Sequence, residues 1–282
     1  MTENLTVSTA WLAEHLDDPN VRIVDIRGHV ISASQPHPHY FAHHDEYLQS
    51  HIPGAVFVDW VRDITDPDSP NASQIAPPDA YAELMSRLGI SDDTLVIAYD
   101  DADSMFAARL WWTLRVYGHE NVRVLDGGWK AWLDEGRPVT ADIPDVPAGS
   151  FTVRPNPSIR RSADEVAGAL HSDTILLDVR SVGEFAGEAS RAKRGGHIPG
   201  AVNVPRGTVV NTDGTLPDAD MLKTKFASAG LDNPDAEVVV YCNGGVSASY
   251  GMMALINAGF TDVAVYDGSW KEWGNDDSRP IE

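Results

Sequence analysis

Four short stretches of this sequence recur, in the same order, in its second half, and that repetition constrains the fold more than any other feature. Val21-Arg-Ile-Val-Asp25-Ile-Arg27 is matched by Ile175-Leu-Leu-Asp178-Val-Arg180, and His51-Ile-Pro-Gly-Ala-Val by His197-Ile-Pro-Gly-Ala-Val. Leu95-Val-Ile-Ala-Tyr99 is matched by Val238-Val-Val-Tyr241, and Leu125-Asp-Gly-Gly-Trp129 by Tyr266-Asp-Gly-Ser-Trp270. The separation shrinks along the chain, from 153 residues between Asp25 and Asp178 to 141 between Trp129 and Trp270, as expected if the first copy has longer loops. Ordered self-similarity of this kind marks a duplicated domain. A chain of 282 residues gives each copy enough length for its own core.

Each copy alternates β-branched runs with helix-length segments. In the second, Ile175–Asp178, Ala201–Val204, Glu237–Tyr241 and Val263–Tyr266 are predicted strands, with helices over Ala219–Ala229 and Ser247–Ala258. Ala248, Met252, Leu255, Ile256 and Gly259 recur at helical spacing. Such alternation predicts an α/β fold, each copy a largely parallel sheet flanked by helices. Between the copies stand Pro138, Pro144, Pro147, Pro155 and Pro157, a density that suits a linker rather than a regular element. The expected division is a first domain over 1–140, a linker over 141–158 and a second domain over 159–282.

The chemistry concentrates in Val238-Val-Val-Tyr-Cys242-Asn243-Gly244-Gly245-Val246-Ser247-Ala248: a buried-type strand, a cysteine, a glycine loop and a helix start. Ligands of open α/β sheets bind beyond the carboxyl ends of the strands. Glycines let successive N–H groups curl inward as a nest for an anion, and the helix N-terminus adds its dipole at the same point. A nucleophilic thiolate would be stabilised there, beside amides able to hold a second negative atom. The duplication supplies a control, since Tyr99-Asp100 aligns with Tyr241-Cys242. Asp101, Ala102, Asp103 and Ser104 follow Asp100 with no glycine. The expectation is a catalytic second copy and a supporting first copy that has lost the cradle.

Composition removes several classes of function. Forty-two acidic against 21 basic residues leave a formal charge of −21, which repels nucleic acid and anionic membranes. No apolar run approaches the ~18 residues of a spanning helix, and the N-terminus has no basic start or apolar core, so the cytoplasm is the expected compartment. A single cysteine excludes an internal disulfide, a multi-thiolate zinc site and a resolving partner for redox chemistry.

Taken together, the Asp-x-Arg strand ends, the Gly-His-Ile-Pro-Gly-Ala segment, the strand–Cys-x-x-Gly-Val-Ser-Ala loop and the Tyr-Asp-Gly-Ser-Trp segment resemble tandem rhodanese-family sulfurtransferases across nearly the whole chain. The first copy resembles that family's inactive domain. The resemblance implies a ping-pong reaction without a cofactor or metal: Cys242 takes sulfur from thiosulfate or 3-mercaptopyruvate as a persulfide and passes it to cyanide, a small thiol or a protein thiol. It implies that the amides of Asn243, Gly244, Gly245, Val246 and Ser247 hold the outer sulfur and that Arg180 helps bind an anionic donor. A structural ion pair between Arg180 and Asp178 is the competing reading. His51 and His197 are expected to shape their turns. Arg191, Lys193 and Arg194 are expected in a solvated loop, with anion steering as the alternative.

The donor stays open at this level. Thiosulfate-specific relatives often carry basic residues directly after the cysteine, where this chain has Asn243, Gly244 and Gly245. The neutral loop is similar to that of mercaptopyruvate enzymes, yet Glu184 stands where those carry a second arginine. Asp59 and Asp63 are present, but no histidine lies between His51 and His119, and Gly244 replaces a hydroxyl residue. A Cys-x5-Arg phosphatase is the first rival and fails because Ala248 occupies the arginine position needed to clamp a phosphoryl group. A metal site among His29, His37, His39, His43, His44 and His51 is the second, with Pro36 and Pro38 interrupting any common helix face. A non-catalytic binding module is the third, and the retained Cys242 loop opposes it.

Overall fold

The computed structural model describes residues 4–32, 35–36, 38–71 and 73–282. The first copy runs β1 (Thr6–Val7), α1 (Thr9–Glu14), β2 (Val21–Asp25), β3 (Gly28–Val30), β4 (Tyr40–Ala42) and α2 (His44–Gln49). It continues through β5 (Val56–Phe57), α3 (Pro78–Arg87), β6 (Leu95–Tyr99), α4 (Met105–Val116), β7 (Val122–Leu125) and α5 (Gly128–Asp134). The second copy runs β8 (Arg160–Arg161), α6 (Ala163–Ala169), β9 (Ile175–Asp178), α7 (Val182–Phe185), β10 (Val202–Asn203) and α8 (Ala219–Ala227). It closes with β11 (Val238–Tyr241), α9 (Val246–Asn257), β12 (Val263–Tyr266) and α10 (Ser269–Trp273).

The duplication is complete at the level of topology. The sheets are ordered β1-β7-β6-β2-β5 and β8-β12-β11-β9-β10, and every pairing in both is parallel. β6 and β11 are the central strands, and their near-continuous apolar runs follow from burial on both faces. The expected strands and helices of the second copy are all present, with small shifts at their ends. Pro205 stands two residues past the end of β10, where a missing N–H cannot extend a ladder. Asp218 caps α8 through Met221 N, and Gly230, at φ 88°, lies just past its end in a conformation that favours glycine.

The copies are not beads on a string. α4 and α9, apolar and buried on almost every side, pack against each other between the two sheets, and one hydrophobic cluster runs through both copies. Each copy keeps a smaller cluster on its outer face, around Trp132 in the first and Trp270 in the second. A buried ion pair, Arg109 to Asp267 at 2.8 Å, ties α4 to the end of β12, and Ile75 N donates to the same carboxylate at 3.1 Å. Residues 141–156 form no helix or strand, as their prolines predict, but they are strapped to the first copy. Gly149 N donates to Ser86 O at 2.7 Å, Asn156 N to Val116 O at 2.7 Å, and Phe151 is buried. The antiparallel hairpin β3–β4 exists only in the first copy and leans on the second, where Arg191 donates to Ile31 O at 2.6 Å. Among the described residues no helix is long and apolar enough to cross a membrane.

Candidate active site

Cys242 leaves the carboxyl end of β11 at the centre of its sheet and is 4% exposed. The loop behind it is fixed from below by Ser269, whose Oγ accepts from Cys242 N and Gly245 N, both at 3.1 Å, and donates to Tyr266 O at 2.7 Å. Ser269 holds a left-handed φ of 52°, a strain that its hydrogen bonds offset. Trp270 N and Lys271 N then donate to the carbonyls of Cys242 and Asn243, so the start of α10 grips the loop. Gly245, at φ 79°, caps α9; a Cβ there would stand 2.8 Å from Asp267 Oδ1 and 2.9 Å from Arg109 Nη1, so both conformation and space require glycine.

Asn243, Gly244, Gly245, Val246 and Ser247 form the short loop and helix start that follow the thiol, and the expected set of ligand-holding amides needs one correction. The Gly245 amide is not free for a ligand, because Ser269 already takes it. The amides of Asn243, Gly244, Val246 and Ser247 have no protein acceptor among the described residues. The Asn243 side chain turns away and donates to Glu184 Oε1 at 2.8 Å, and the Ser247 hydroxyl points to Met105 Sδ of the first copy at 3.3 Å.

Arg180 resolves toward the structural reading. It is buried, its Nε and Nη2 bind both oxygens of Asp178 at 2.6–3.1 Å, and Nη2 also donates to Gly196 O at 2.8 Å. Its guanidinium lies over Trp270 at 4.6 Å. Arg27 repeats the arrangement in the first copy, with Asp25, Ser50 O and Trp129, where there is no cysteine to serve. The Asp-x-Arg pair is thus a device of the fold. Only Nη1 of Arg180 lacks a partner among the described residues, and Arg180 still borders the active-site cavity.

The first copy overturns one expectation. Its loop has no glycine, yet it has not lost the cradle. Asp103 and Ser104 take left-handed φ values of 54° and 62° to make the same curl, and the Asp100 side chain turns into it. One carboxylate oxygen accepts from Ala102 N and Ser104 N at 2.9 and 3.0 Å, the other from Phe106 N and Ala107 N at 2.7 and 2.8 Å. Burial pushes the Asp100 carboxyl up from its ordinary value, while the amides that surround it favour its ionised form. The ring of N–H groups is an anion site, here filled from within.

A cavity of about 480 Å³ opens over Cys242. Its floor is the second copy, but Tyr40, Trp60 and Met105 of the first copy form its opposite wall. In a strongly acidic protein it gathers Arg180, Arg191, Arg206 and Lys271 around the thiol, with Glu184 as the acidic side chain among them. Arg191 corrects the solvated-loop reading, since its side chain is 12% exposed and lines this cavity. Arg194 instead binds the carbonyls of Trp273, Gly274, Asp276 and Arg279, a structural tie, and Lys193 is exposed. Lys271 and Tyr40 escaped the sequence reading because they come from segments far apart in the chain.

The histidines serve other ends. His51 is fully buried with both ring nitrogens on carbonyls of Tyr47 and Asp142, and His197 stacks on Phe185 and reaches Phe185 O at 3.0 Å; both shape their turns. His29, His43 and Asp101 form a hydrogen-bonded chain at 2.6 and 2.7 Å. His37 lies outside the described residues. Among those described, no group of three or more His, Cys, Asp or Glu is placed to hold a metal ion.

A family model described as rhodanese-like domain matches the chain twice, over residues 8–135 and 162–276. The chain belongs to the rhodanese family. It is 37% identical to a sulfur carrier protein of Thermus thermophilus over 98% of this chain and 95% of that one. It is 35% identical to the 3-mercaptopyruvate sulfurtransferase of Escherichia coli over 100% of this chain and 99% of the relative. The crystal structure of SseA from Escherichia coli, described with the fold and mechanism of 3-mercaptopyruvate sulfotransferases, superposes with a TM-score of 0.84 at 34% identity, covering 95% and 99% of the two chains. This rhodanese is a sulfurtransferase built from two α/β domains.

Proposed function

We propose that the second domain carries sulfur on Cys242 and that the first, with Asp100 in the matching position, is catalytically silent. The observation that carries this reading is the filled cradle of the first domain. A carboxylate held by four amides of the first loop tells what the matching loop from Asn243 to Ser247 is built to hold, a negative atom at the end of the side chain that follows the strand. On Cys242 that atom is the outer sulfur of a persulfide.

Sγ attacks the donor's outer sulfur. With thiosulfate, the bond between the two sulfur atoms breaks and its electron pair leaves on sulfite. With 3-mercaptopyruvate, the C–S pair leaves as the enolate of pyruvate, which takes up a proton at carbon. In the second half-reaction cyanide or a thiolate attacks the outer sulfur and Cys242 leaves as the thiolate. The donor is a small anion, in keeping with the cationic cavity, and the acceptors include small and protein thiols. Arg180 contributes charge from the wall rather than a grip on the donor. Ala248, inside α9, leaves no arginine to clamp a phosphoryl group, which opposes phosphatase chemistry.

Intact-mass measurement after exposure to thiosulfate or 3-mercaptopyruvate tests the reading. The wild type gains one sulfur atom, cyanide removes it, and Cys242→Ser gains none. A wild type that stays unmodified with both donors overturns it.

A further inference from the structure

Lys271 follows the Asp-Gly-Ser-Trp segment by one residue, and its counterpart in the first domain is Lys130, at the same offset of 141 as Trp270 from Trp129. The two lysines live in different worlds. Lys130 is 67% exposed and paired with Asp134 one turn on. Lys271 is only 9% exposed, and Asn275 stands where Asp134 stood. The Asn275 amide is already engaged, donating to Lys271 O at 2.6 Å and accepting from Lys193 N at 2.8 Å. No carboxylate pairs with the Lys271 ammonium among the described residues. The ammonium lies 4.0 Å over the ring of Tyr40, contributed by the hairpin of the first domain.

A buried ammonium without a counter-ion is costly to maintain, and the fold holds this one over the thiol. Its backbone N–H is bonded to Asn243 O at 2.9 Å, inside the Cys242 loop, and its side chain lines the cavity above Sγ. Tyr40, Arg191 and Cys242 surround it, with Arg180, Arg206 and Glu184 around the rest of the wall. Glu184 is not its partner, because one carboxylate oxygen accepts from Asn243 and the other from Ser181.

We propose that Lys271 is a donor-specificity residue: its ammonium, seated on Tyr40, binds the anionic oxygens next to the transferable sulfur and so sets that sulfur against Cys242. The inference rests on the sulfur-transfer reading above and adds the chemistry of the donor. Carboxylate and sulfonyl oxygens present the same feature, a negative oxygen group beside a sulfur, and Lys271 takes either. The subsite is shared between the domains, since the cation comes from the second and the aromatic face from the first. Burial and Arg191 lower the lysine to about 8, so the charge that binds the donor is present below that pH and lost above it.

Steady-state kinetics of wild type, Lys271→Met and Lys271→Arg test this, with thiosulfate, 3-mercaptopyruvate and the uncharged mercaptoacetone, which has a methyl group where 3-mercaptopyruvate has its carboxylate and releases the enolate of acetone, as donors. The expected result is a KM for the charged donors raised about tenfold or more in Lys271→Met, kcat within about threefold, and rescue by Lys271→Arg. The uncharged donor is used equally by all three proteins. With thiosulfate, which does not itself titrate in this range, the wild-type KM rises above about pH 8 relative to Lys271→Arg, whose guanidinium stays charged. Unchanged KM values in Lys271→Met, or an equal loss with the uncharged donor, overturn the proposal while persulfide formation on Cys242 leaves the function standing. Absence of any persulfide in the wild type overturns both.

Discussion

The two strand-end loops of this rhodanese were copied from one ancestor and now solve opposite problems. In the first domain the Asp100 carboxylate closes the ring of amides from inside, and the loop makes its curl with Asp103 and Ser104 at positive φ. In the second the ring is left to a ligand, and the missing internal support is supplied from beneath by Ser269. The residue at the Ser269 position in the first domain is Gly128, at nearly the same φ of 55°, where a Cβ would meet Asp100 O at 2.4 Å. One loop is stabilised by its own side chain; the other is braced by a strained serine so that its side chain can react. The comparison teaches that the anion site is a property of the fold, and that activity depends on what fills it.

The largest expected effect is on the second loop. Cys242→Ser should lower turnover with either donor by more than about a thousandfold, because a hydroxyl at neutral pH neither attacks sulfur nor leaves as sulfur's partner. Stopped-flow or steady-state rates check this, and a smaller loss would place the nucleophile elsewhere.

Next come the two buried pairs that the domains share. Arg27→Ala and Arg180→Ala should each cost about 3–5 kcal/mol by chemical denaturation, since both strand a buried aspartate. Equal costs would confirm that Asp-x-Arg belongs to the fold; a loss of activity without loss of stability in Arg180→Ala would return that arginine to donor binding.

Asp100→Ala leaves four amides without their buried acceptor and should cost about 2–4 kcal/mol. Turnover per folded molecule should change less than about tenfold, and a greater loss would end the view of the first loop as structural. The smallest effect is expected from Ser269→Gly, which relaxes the positive φ but removes the acceptor for Cys242 N and Gly245 N. Stability should move by only about 1 kcal/mol while kcat falls about tenfold, a split that melting curves and rates separate.

Much of this was legible in the sequence because it is local. Strand-length apolar runs, glycine and proline punctuation and four motifs that each occur twice define the two α/β domains, and Cys242 stands out by lying between a buried strand and a glycine loop. The reading failed where a side chain's partner is distant or its role depends on geometry. The absence of glycine after Asp100 suggested a lost cradle, yet Asp and Ser tolerate the left-handed region when hydrogen bonds hold them there. Arg191 looked like one of three loop cations, but a hairpin 160 residues upstream in the sequence receives it.

By itself, then, the sequence determined the duplication, the order of elements and the candidate nucleophile, because each is written in neighbours along the chain. Only the tertiary structure decided which anions the pocket can meet. The packing of α4 on α9 brings Tyr40 and Met105 of the first domain over Cys242 and buries Lys271 without an acidic partner among the described residues. Burial, charge pairing and cavity shape are set by residues separated by more than one hundred positions, and no local pattern encodes them.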